Sequence, residues 1–396
     1  MNVIILDGHL KSALAGVRSL GQKGIRVICA AERSTAMSLH SIYCSQRFIY
    51  PSPIKDKQKF VHSIIDLARN LGDKPLIYTF SDETFLPIAE HREKLEKYAT
   101  IILPSDESID IAFNKKKTLA LAKKLEIPYV DSYGVHDLAE ANNVAEKLTY
   151  PAVVKQPSSC MWKEGKGERG TAVYVFSKKE LLENVSKIFE KTGEWPIIQE
   201  FIQGAEYGIE MLCSYGEPYA LHAHKRIRSL KPSGGAAVVK ETIFDTEIVQ
   251  MMEKYAHVLM KELKWEGPVM VEFKMNDTKK QVQLMEINGR FWGSLPLAVF
   301  AGVDFPYLYY NQARGEILQG EVRCRENVVS RHFLGDIHHL LSVLFDETSM
   351  RALVYPRRLD ALKEFFTPSC RKYDVFSYDD IKPFFMEIFD MIKRRI

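Results

Sequence analysis

Val269-Met270-Val271-Glu272-Phe273-Lys274, followed after a polar turn by Gln281-Val282-Gln283-Leu284-Met285-Glu286-Ile287-Asn288-Gly289-Arg290, is the stretch that decides the fold. The turn residues Asn276-Asp277-Thr278-Lys279-Lys280 make it a hairpin. Glu272, Glu286 and Asn288 all carry even numbers, so strand alternation puts them on one face wherever the strands pair even with even. Cross-strand neighbours then lie about 4.5 to 8 Å apart. Two carboxylates and an amide oxygen gathered among Met270, Leu284 and Ile287 repel one another and lose hydration unless a cation compensates. Hard oxygen ligands of this kind suit Mg²⁺ shared with nucleotide phosphates. Alternatively, both glutamates sit on a solvated face, as strand carboxylates usually do, and Arg290 is an ion-pair partner.

Phosphates need cations and backbone N–H donors, and the stretch before this hairpin offers both. Lys155 ends the apolar strand Ala152-Val153-Val154, and a polar loop with Gly165, Gly167 and Gly170 follows. Glycines let the main chain approach an anion and move, so the loop reads as a lid, or else as an ordinary flexible hairpin tip. The G-x-x-x-x-G-K-[ST] of a Walker loop is absent. Ile198 to Glu206 reads as an inter-domain strand, with Phe201 and Ile202 able to hold an adenine and Glu206 able to accept bonds from ribose hydroxyls; an edge strand with a turn fits the same residues.

Working outward, Val3 to Leu6, Ser12 to Leu20 and Ile25 to Cys29 read as strand, helix, strand, a unit of about 30 residues that implies parallel strands. A helix through Phe60, Ile64, Leu67 and Leu71 stops at Gly72, Leu76 to Phe80 is a strand, and Ile101 to Leu103 closes a further unit. Residues 1–112 thus form a doubly wound domain. Asp7-Gly8-His9-Leu10-Lys11-Ser12 does not supply the G-x-G-x-x-G of dinucleotide binding. Asp7, Gly8 and Ser81 to Glu83 lie at strand carboxyl ends, where they either face a small substrate or cap helices. A Lys- and Leu-rich helix from Asn114 ends before Pro128. Strand Thr171 to Phe176 and a helix opened by Ser177-Lys178-Lys179-Glu180 follow the lid. Ile197–Phe201, Tyr207–Cys213, Pro218–His224, Ala237–Ile243, Val269–Lys274 and Gln281–Glu286 read as strands of a mostly antiparallel sheet, interrupted by a helix near Glu247 to Leu263. The tail beyond about residue 320 reads as helical.

With 46% hydrophobic and 27% charged residues, the 396-residue chain has the composition of a folded protein with two or three domains. Lys+Arg exceed Asp+Glu by 54 to 51, so the overall balance predicts neither a nucleic-acid nor a membrane partner. Cys29, Cys44, Cys160, Cys213, Cys324 and Cys370 lie far apart and read as reduced packing residues. Met1 to Asp7 lacks a basic leader, and no run supplies the ~18 apolar residues of a membrane helix, so a cytoplasmic address is expected.

The order of these features, over roughly residues 1 to 315, resembles the ATP-grasp superfamily. The resemblance implies an α/β and α+β architecture: an N-terminal Rossmann-like substrate domain (1–112) before two α+β subdomains (113–192 with the lid, 193–320 with the metal site) that clasp ATP, and then a helical extension (321–396). Asn114-Lys115 resembles the first nucleotide-binding lysine segment, with Asn114 where Asp is usual, and Lys155 resembles the second lysine. Gln199, Glu200, Phe201 and Ile202 correspond to the adenine hinge and Glu206 to the ribose ligand. Glu272, Glu286 and Asn288 correspond to the metal ligands, although Gly289 stands where proline is common. His224-Lys225-Arg226-Ile227-Arg228-Ser229-Leu230-Lys231-Pro232-Ser233-Gly234-Gly235 resembles the acceptor loop of carboxylate–amine ligases and carbamoyl-phosphate-synthase-like members. Arg226, Arg228 and the glycine amides would grip a carboxylate or acyl phosphate there, unless the loop is simply solvated. The resemblance implies ATP and Mg²⁺ as cofactors (two ions, with Mn²⁺ a substitute), Lys155, Arg228 and Arg290 in catalysis, small carboxylate and amine substrates, and room for a homodimer. It also leaves open a carboxyphosphate-forming carboxylase or a regulatory subunit that binds nucleotide without turnover.

Overall fold

A computed structural model describes residues 1–163, 165–170, 172–316, 321–324, 326–367 and 372–393. Val3–Ile5 pairs in parallel with Val27–Ala31 on one side and Leu76–Tyr78 on the other, and Gln46–Ile49 adds a fourth parallel strand at the edge. All residues of the inner strands Val3–Ile5 and Val27–Ala31 are buried, as expected when helices cover both faces of a parallel sheet. Helix Lys57–Leu71 starts where Asp56 accepts from Lys59 N and stops at Gly72, whose φ of 75° only glycine adopts readily. Two expectations change here. Gln46–Ile49 is a strand that its mixed, half-exposed composition conceals, and Ile101 to Leu103 is not a strand, since only Thr100 bridges to Leu76. Asp7 closes a seam: its buried carboxylate accepts from Phe80 N (2.9 Å), Ser81 Oγ (2.9 Å) and Thr84 Oγ1 (2.6 Å), so it caps rather than faces a ligand.

A second, antiparallel sheet runs in the order Ser132–Gly134, Ile197–Glu200, Ala152–Lys155, Ala172–Val175. Helices Leu138–Lys147 and Lys178–Thr192 back it, with Ala141, Val154, Val175, Leu181, Val185 and Ile198 in the shared core. Ser177 accepts from Glu180 N as the predicted capping box requires, while the return bond to Glu180 Oε2 comes from Phe176 N, one residue before the cap. Thr171, expected to open the last strand, Glu164 in the lid and Cys370 lie outside the described residues.

The third sheet runs Gln281–Asn288, Gly267–Asn276, Glu206–Ser214, Glu217–Lys231, Gly234–Ile243, Val329–Arg331, Lys372–Tyr373. One face packs on helix Glu247–Glu262 and Trp265; on the other, Leu212, Ala220 and Met270 meet Phe291, Trp292 and the first helix, Lys11–Gln22. The expected acceptor loop is instead a long hairpin. Strand Glu217–Lys231 runs through the basic residues and turns only at Pro232-Ser233, and register shifts near Arg226 and Arg228 show bulges.

The tail is not only helical. Val322–Arg323, Val329–Arg331 and Lys372–Tyr373 extend the third sheet, two- and three-residue strands too short to leave a readable alternation. Its carboxylates clamp other elements. Asp380 pairs with Arg18 (3.0 Å) and accepts from Ser41 Oγ (2.7 Å), and Asp390 takes Arg33 (3.1 Å) and Thr35 (2.5 Å). Asp374, fully buried, lies between Lys11 (2.7 Å) and Lys240 (2.5 Å). Asp336 holds Arg228 through two bonds of 2.7 and 2.8 Å, and Arg331 at 2.6 Å.

Burial works to raise the Asp374 carboxyl, but the ammonium groups of Lys11 and Lys240 hold it far below the usual range. Asp374→Ala strands two buried cations and is expected to cost about 3–5 kcal/mol in urea denaturation, whereas Lys240→Met removes one buried charge with its partner still paired to Lys11 and costs less. Because the folded value is depressed, the contribution of Asp374 is full above pH about 4 and is lost progressively as the pH falls below it. Arg228→Ala is expected to act on stability, by about 1–3 kcal/mol, because it removes two bonds to a buried carboxylate; a normal unfolding midpoint with weakened substrate use would contradict this.

Candidate active site

Glu272 and Glu286 stand directly opposite one another on adjacent strands, and Asn288 pairs with Met270 two rungs along, on the same face. The even-with-even register holds along this stretch and breaks at a bulge after Glu272, beyond which Phe273 meets Leu284. The three side chains converge: Asn288 Nδ2 donates to Glu272 Oε1 (3.2 Å) and Glu286 Oε1 (3.4 Å). Glu286 Oε2 lies 3.2 Å from Lys115 Nζ, and Glu272 Oε2 is 3.7 Å from Arg226. Burial and the neighbouring Glu286 push the Glu272 carboxyl well above the carboxylate range; burial works in the same direction on Glu286, but Lys115 and Lys155 hold it below. Glu286 keeps 31% of its side-chain surface open to the cleft, so solvent still screens part of this. Arg290 donates to Asn288 Oδ1 (3.1 Å) and to Asp82 Oδ1 (2.9 Å), fastening this loop to the first turn of helix Asp82–Glu90.

The facing wall belongs to the second sheet. Lys155 donates to Gln199 Oε1 (2.6 Å), Gln199 donates in turn to Ser132 Oγ (2.9 Å), and burial lowers the Lys155 ammonium to about 8. Lys115 opens helix Lys115–Lys124, where Asn114 accepts from Lys116 N and Lys117 N, a capping task that Asn performs as well as Asp. Glu200, Phe201 and Ile202 line the same cleft with Val130, Val153, Tyr174, Phe273 and Met285, which give it a largely apolar wall. Glu206 bonds Arg226 Nη1 (2.5 Å) and Lys274 Nζ (3.3 Å) on the cleft wall.

Three expected residues lie elsewhere. Arg228 is held by Asp336 in the tail, and Arg226, displaced from it by the bulged register, is the arginine that lines the cleft. Gly165 and Gly167 do not line it either. The hairpin Cys160–Lys163 and Lys166–Arg169 packs on the N-terminal region, with Gly167 N donating to Ile54 O (2.7 Å), Trp162 Nε1 to Pro53 O (3.0 Å) and Arg169 to Glu83. A Cβ on Gly167 would stand 2.6 Å from Ile54 Cδ1, so close packing rather than phosphate contact explains this glycine. Lys274 and Tyr174 were not anticipated; Lys274 lies two positions from Glu272, the spacing that puts strand residues on one face. A wider hollow of about 470 Å³ among Glu217, His257 and Arg323 has only partly exposed ion pairs on its walls. Among the described residues no cluster of three or more His, Cys, Asp or Glu could hold a metal unaided, and no helix is long and apolar enough to cross a membrane.

Residues 194–332 match a family described as ATP-grasp in the biosynthetic pathway with Ter operon. The chain is 25% identical over 327 residues to the carbamoyl phosphate synthase large chain of Archaeoglobus fulgidus, covering 81% of this chain and 28% of that one. It thus spans little more than a quarter of that relative's length. Its fold is shared with N5-carboxyaminoimidazole synthetase of Staphylococcus aureus (TM-score 0.64, 16% identity, 88% of this chain and 89% of that one). It is shared also with the L-amino acid ligase of Bacillus licheniformis (TM-score 0.60, 19% identity, 83% and 81%). With two sheets enclosing a cleft that pairs lysines with opposed carboxylates, the chain shares the fold of these solved structures, and residues 194–332 carry the ATP-grasp match.

Proposed function

We propose that the chain is an ATP- and Mg²⁺-dependent ligase that activates a carboxylate as an acyl phosphate, forming ADP, and transfers the acyl group to an amine. The observation that carries this is the meeting, in one cleft, of the opposed Glu272 and Glu286 with Lys115 and Lys155. The likenesses to a carbamoyl phosphate synthase and to an L-amino acid ligase support it.

The donor set fits Mg²⁺. Two half-buried carboxylates face each other, burial and the charge of Glu286 drive Glu272 toward its neutral form against the pull of Arg226, and the amide of Asn288 points at both. Two carboxylates and one amide leave coordination positions for phosphate oxygens and water, as Mg²⁺ prefers. Bound there, the metal supplies positive charge across the phosphates. The chain does the rest by positioning and electrostatics. Lys155, steadied by Gln199, and Lys115 neutralise phosphate oxygens; Glu200, Phe201 and Ile202 receive the adenine; Glu206 turns to the ribose hydroxyls. Arg290, already anchored by Asp82, stabilises charge on the group in transfer. No covalent nucleophile is required.

Mg-ATP is expected to raise the thermal midpoint, by the equivalent of about 2.7 kcal/mol at a hundredfold excess over Kd, and a pool of the common amino acids to stimulate ADP release. Bicarbonate-dependent ADP release without any response to amino acids would favour the carboxyphosphate chemistry instead, and a midpoint shift with no turnover under any condition a regulatory role. Glu286→Gln keeps size and one carbonyl oxygen but removes a charge from the metal site. Turnover is expected to fall by on the order of 10²–10³, with partial recovery at high Mg²⁺, while stability stays within about 0.5 kcal/mol. Full activity of the folded variant at limiting Mg²⁺ would count against this centre.

A further inference from the structure

Glu210, in strand Glu206–Ser214, is a carboxylate with no exposed surface that has no part in the nucleotide cleft described above. It lies on the same sheet face as the metal-site carboxylates, one step farther along. Gly208 pairs with Glu272, and Glu210 with Met270, the residue opposite Asn288. On the other side Gly208 pairs with His224 and Glu210 with His222. His222 Nδ1 is 2.5 Å from one Glu210 oxygen; Ser294 Oγ donates to the other at 2.7 Å, and His224 Nδ1 stands 2.8 Å from that same oxygen as an ion-pair contact.

The two histidines are not equivalent. His222 Nε2 is sealed in the interior without a partner. The His224 ring lies over Gly208: a Cβ there would stand 2.4 Å from its Cε1, so the ring occupies the space a side chain at 208 would fill, next in line to Glu272. Across the sheet His224, Gly208 and Glu272 stand in one row, and no hydrogen bond to His224 Nε2 is found among the described residues. Packing alone would be served at lower cost by apolar side chains at 210, 222 and 224, because a carboxylate sealed from water is expensive even when paired.

We propose that His224 is the general base for acyl transfer and that Glu210 is its positioning residue, so that the cleft has a nucleotide end at Phe201 and a nucleophile end at His224. This rests on the ligase function. The amine nitrogen attacks the carbonyl carbon of the acyl phosphate, the C–N bond forms, and the C–O bond to phosphate breaks, with phosphate leaving with the electron pair. The surplus proton on nitrogen passes to His224 Nε2, and the imidazolium so formed is compensated by Glu210. Burial lowers the His224 imidazole against the pull of Glu210, with His222 and Arg226 also disfavouring charge, so the ring is neutral at pH 7 and ready to accept a proton.

The test compares wild type and His224→Gln with Mg-ATP and a pool of the common amino acids, with and without hydroxylamine. Hydroxylamine is uncharged at neutral pH and attacks acyl phosphates without a base, so hydroxamate reports their formation while amide, read by mass spectrometry, reports assisted transfer. His224→Gln is expected to lose amide formation by about 10²–10⁴-fold and to retain most hydroxamate formation. Glu210→Gln should show the same split to a smaller degree. If the buried substitutions prevent folding, as judged by loss of the Mg-ATP midpoint shift, Gly208→Ala, which displaces the ring, must give the same split. Equal loss of both products, or no loss of amide, overturns the assignment of His224 with the ligase function intact. If wild type makes neither product, the ligase function itself fails for these substrates and the assignment falls with it.

Discussion

Two carboxylates placed opposite one another on neighbouring strands, and largely withdrawn from water, are a standing electrostatic demand, and much of the chain is arranged around meeting it. Glu272 and Glu286 cannot both keep their charge without cations nearby. Lys115 comes from a helix start, Lys155 from the second sheet, Arg226 from a bulged strand of the third, so three separate elements deliver positive charge to one point. That supply compensates Glu286 better than Glu272, and the proposed metal ion would meet the shortfall at Glu272. The same demand explains the neighbours of these cations: Gln199 orients Lys155, and Asn114 starts the helix so that its first residue, Lys115, reaches Glu286.

Those parts of the site that obey a local period were legible in the sequence. Alternation along two strands brings Glu272, Glu286 and Asn288 to one face, Gly72 ends one helix, and Ser177 starts another. What could not be read depends on register and on partners distant in the chain. A bulge between Arg226 and Arg228 decides which arginine faces the cleft, and nothing in a run of basic residues marks where a strand will slip. Arg228 finds Asp336 more than a hundred residues away, and Gly167 is small because Ile54 lies against it, a contact set by how two layers meet. The tail strands are two or three residues long and take their conformation from the sheet edge they join. Glu210, His222 and His224 show the same gap from another side: each is an ordinary polar residue in a strand until the register places them together.

The hairpin of residues 160–169 is a further case of local form with distant cause. Its two short strands pair with one another, yet its position is set by main-chain carbonyls at Pro53 and Ile54 and by Glu83, which stands beside the aspartate that anchors Arg290. The start of helix Asp82–Glu90 therefore serves two masters, one acidic residue for Arg290 and the next for the hairpin.

The aspartates of the tail bear on how the cleft can open. Asp374, Asp380 and Asp390 rivet the parallel sheet region, and Asp374 through Lys240 joins it to the large sheet, with bonds that are mostly shielded from water. Among the described residues the layer carrying Lys155 has no buried ion pair of this kind to the other two; Lys279 to Asp131 and Arg169 to Glu83 are partly exposed and of the kind that contribute about 1 kcal/mol at most, beside the bonds of Trp162 to Pro53 O and Tyr174 to Ser233 O. Two of the three layers thus behave as one anvil. The third, held by fewer shielded contacts, is the hammer, the wall that would have to swing for the proposed nucleotide to enter and leave.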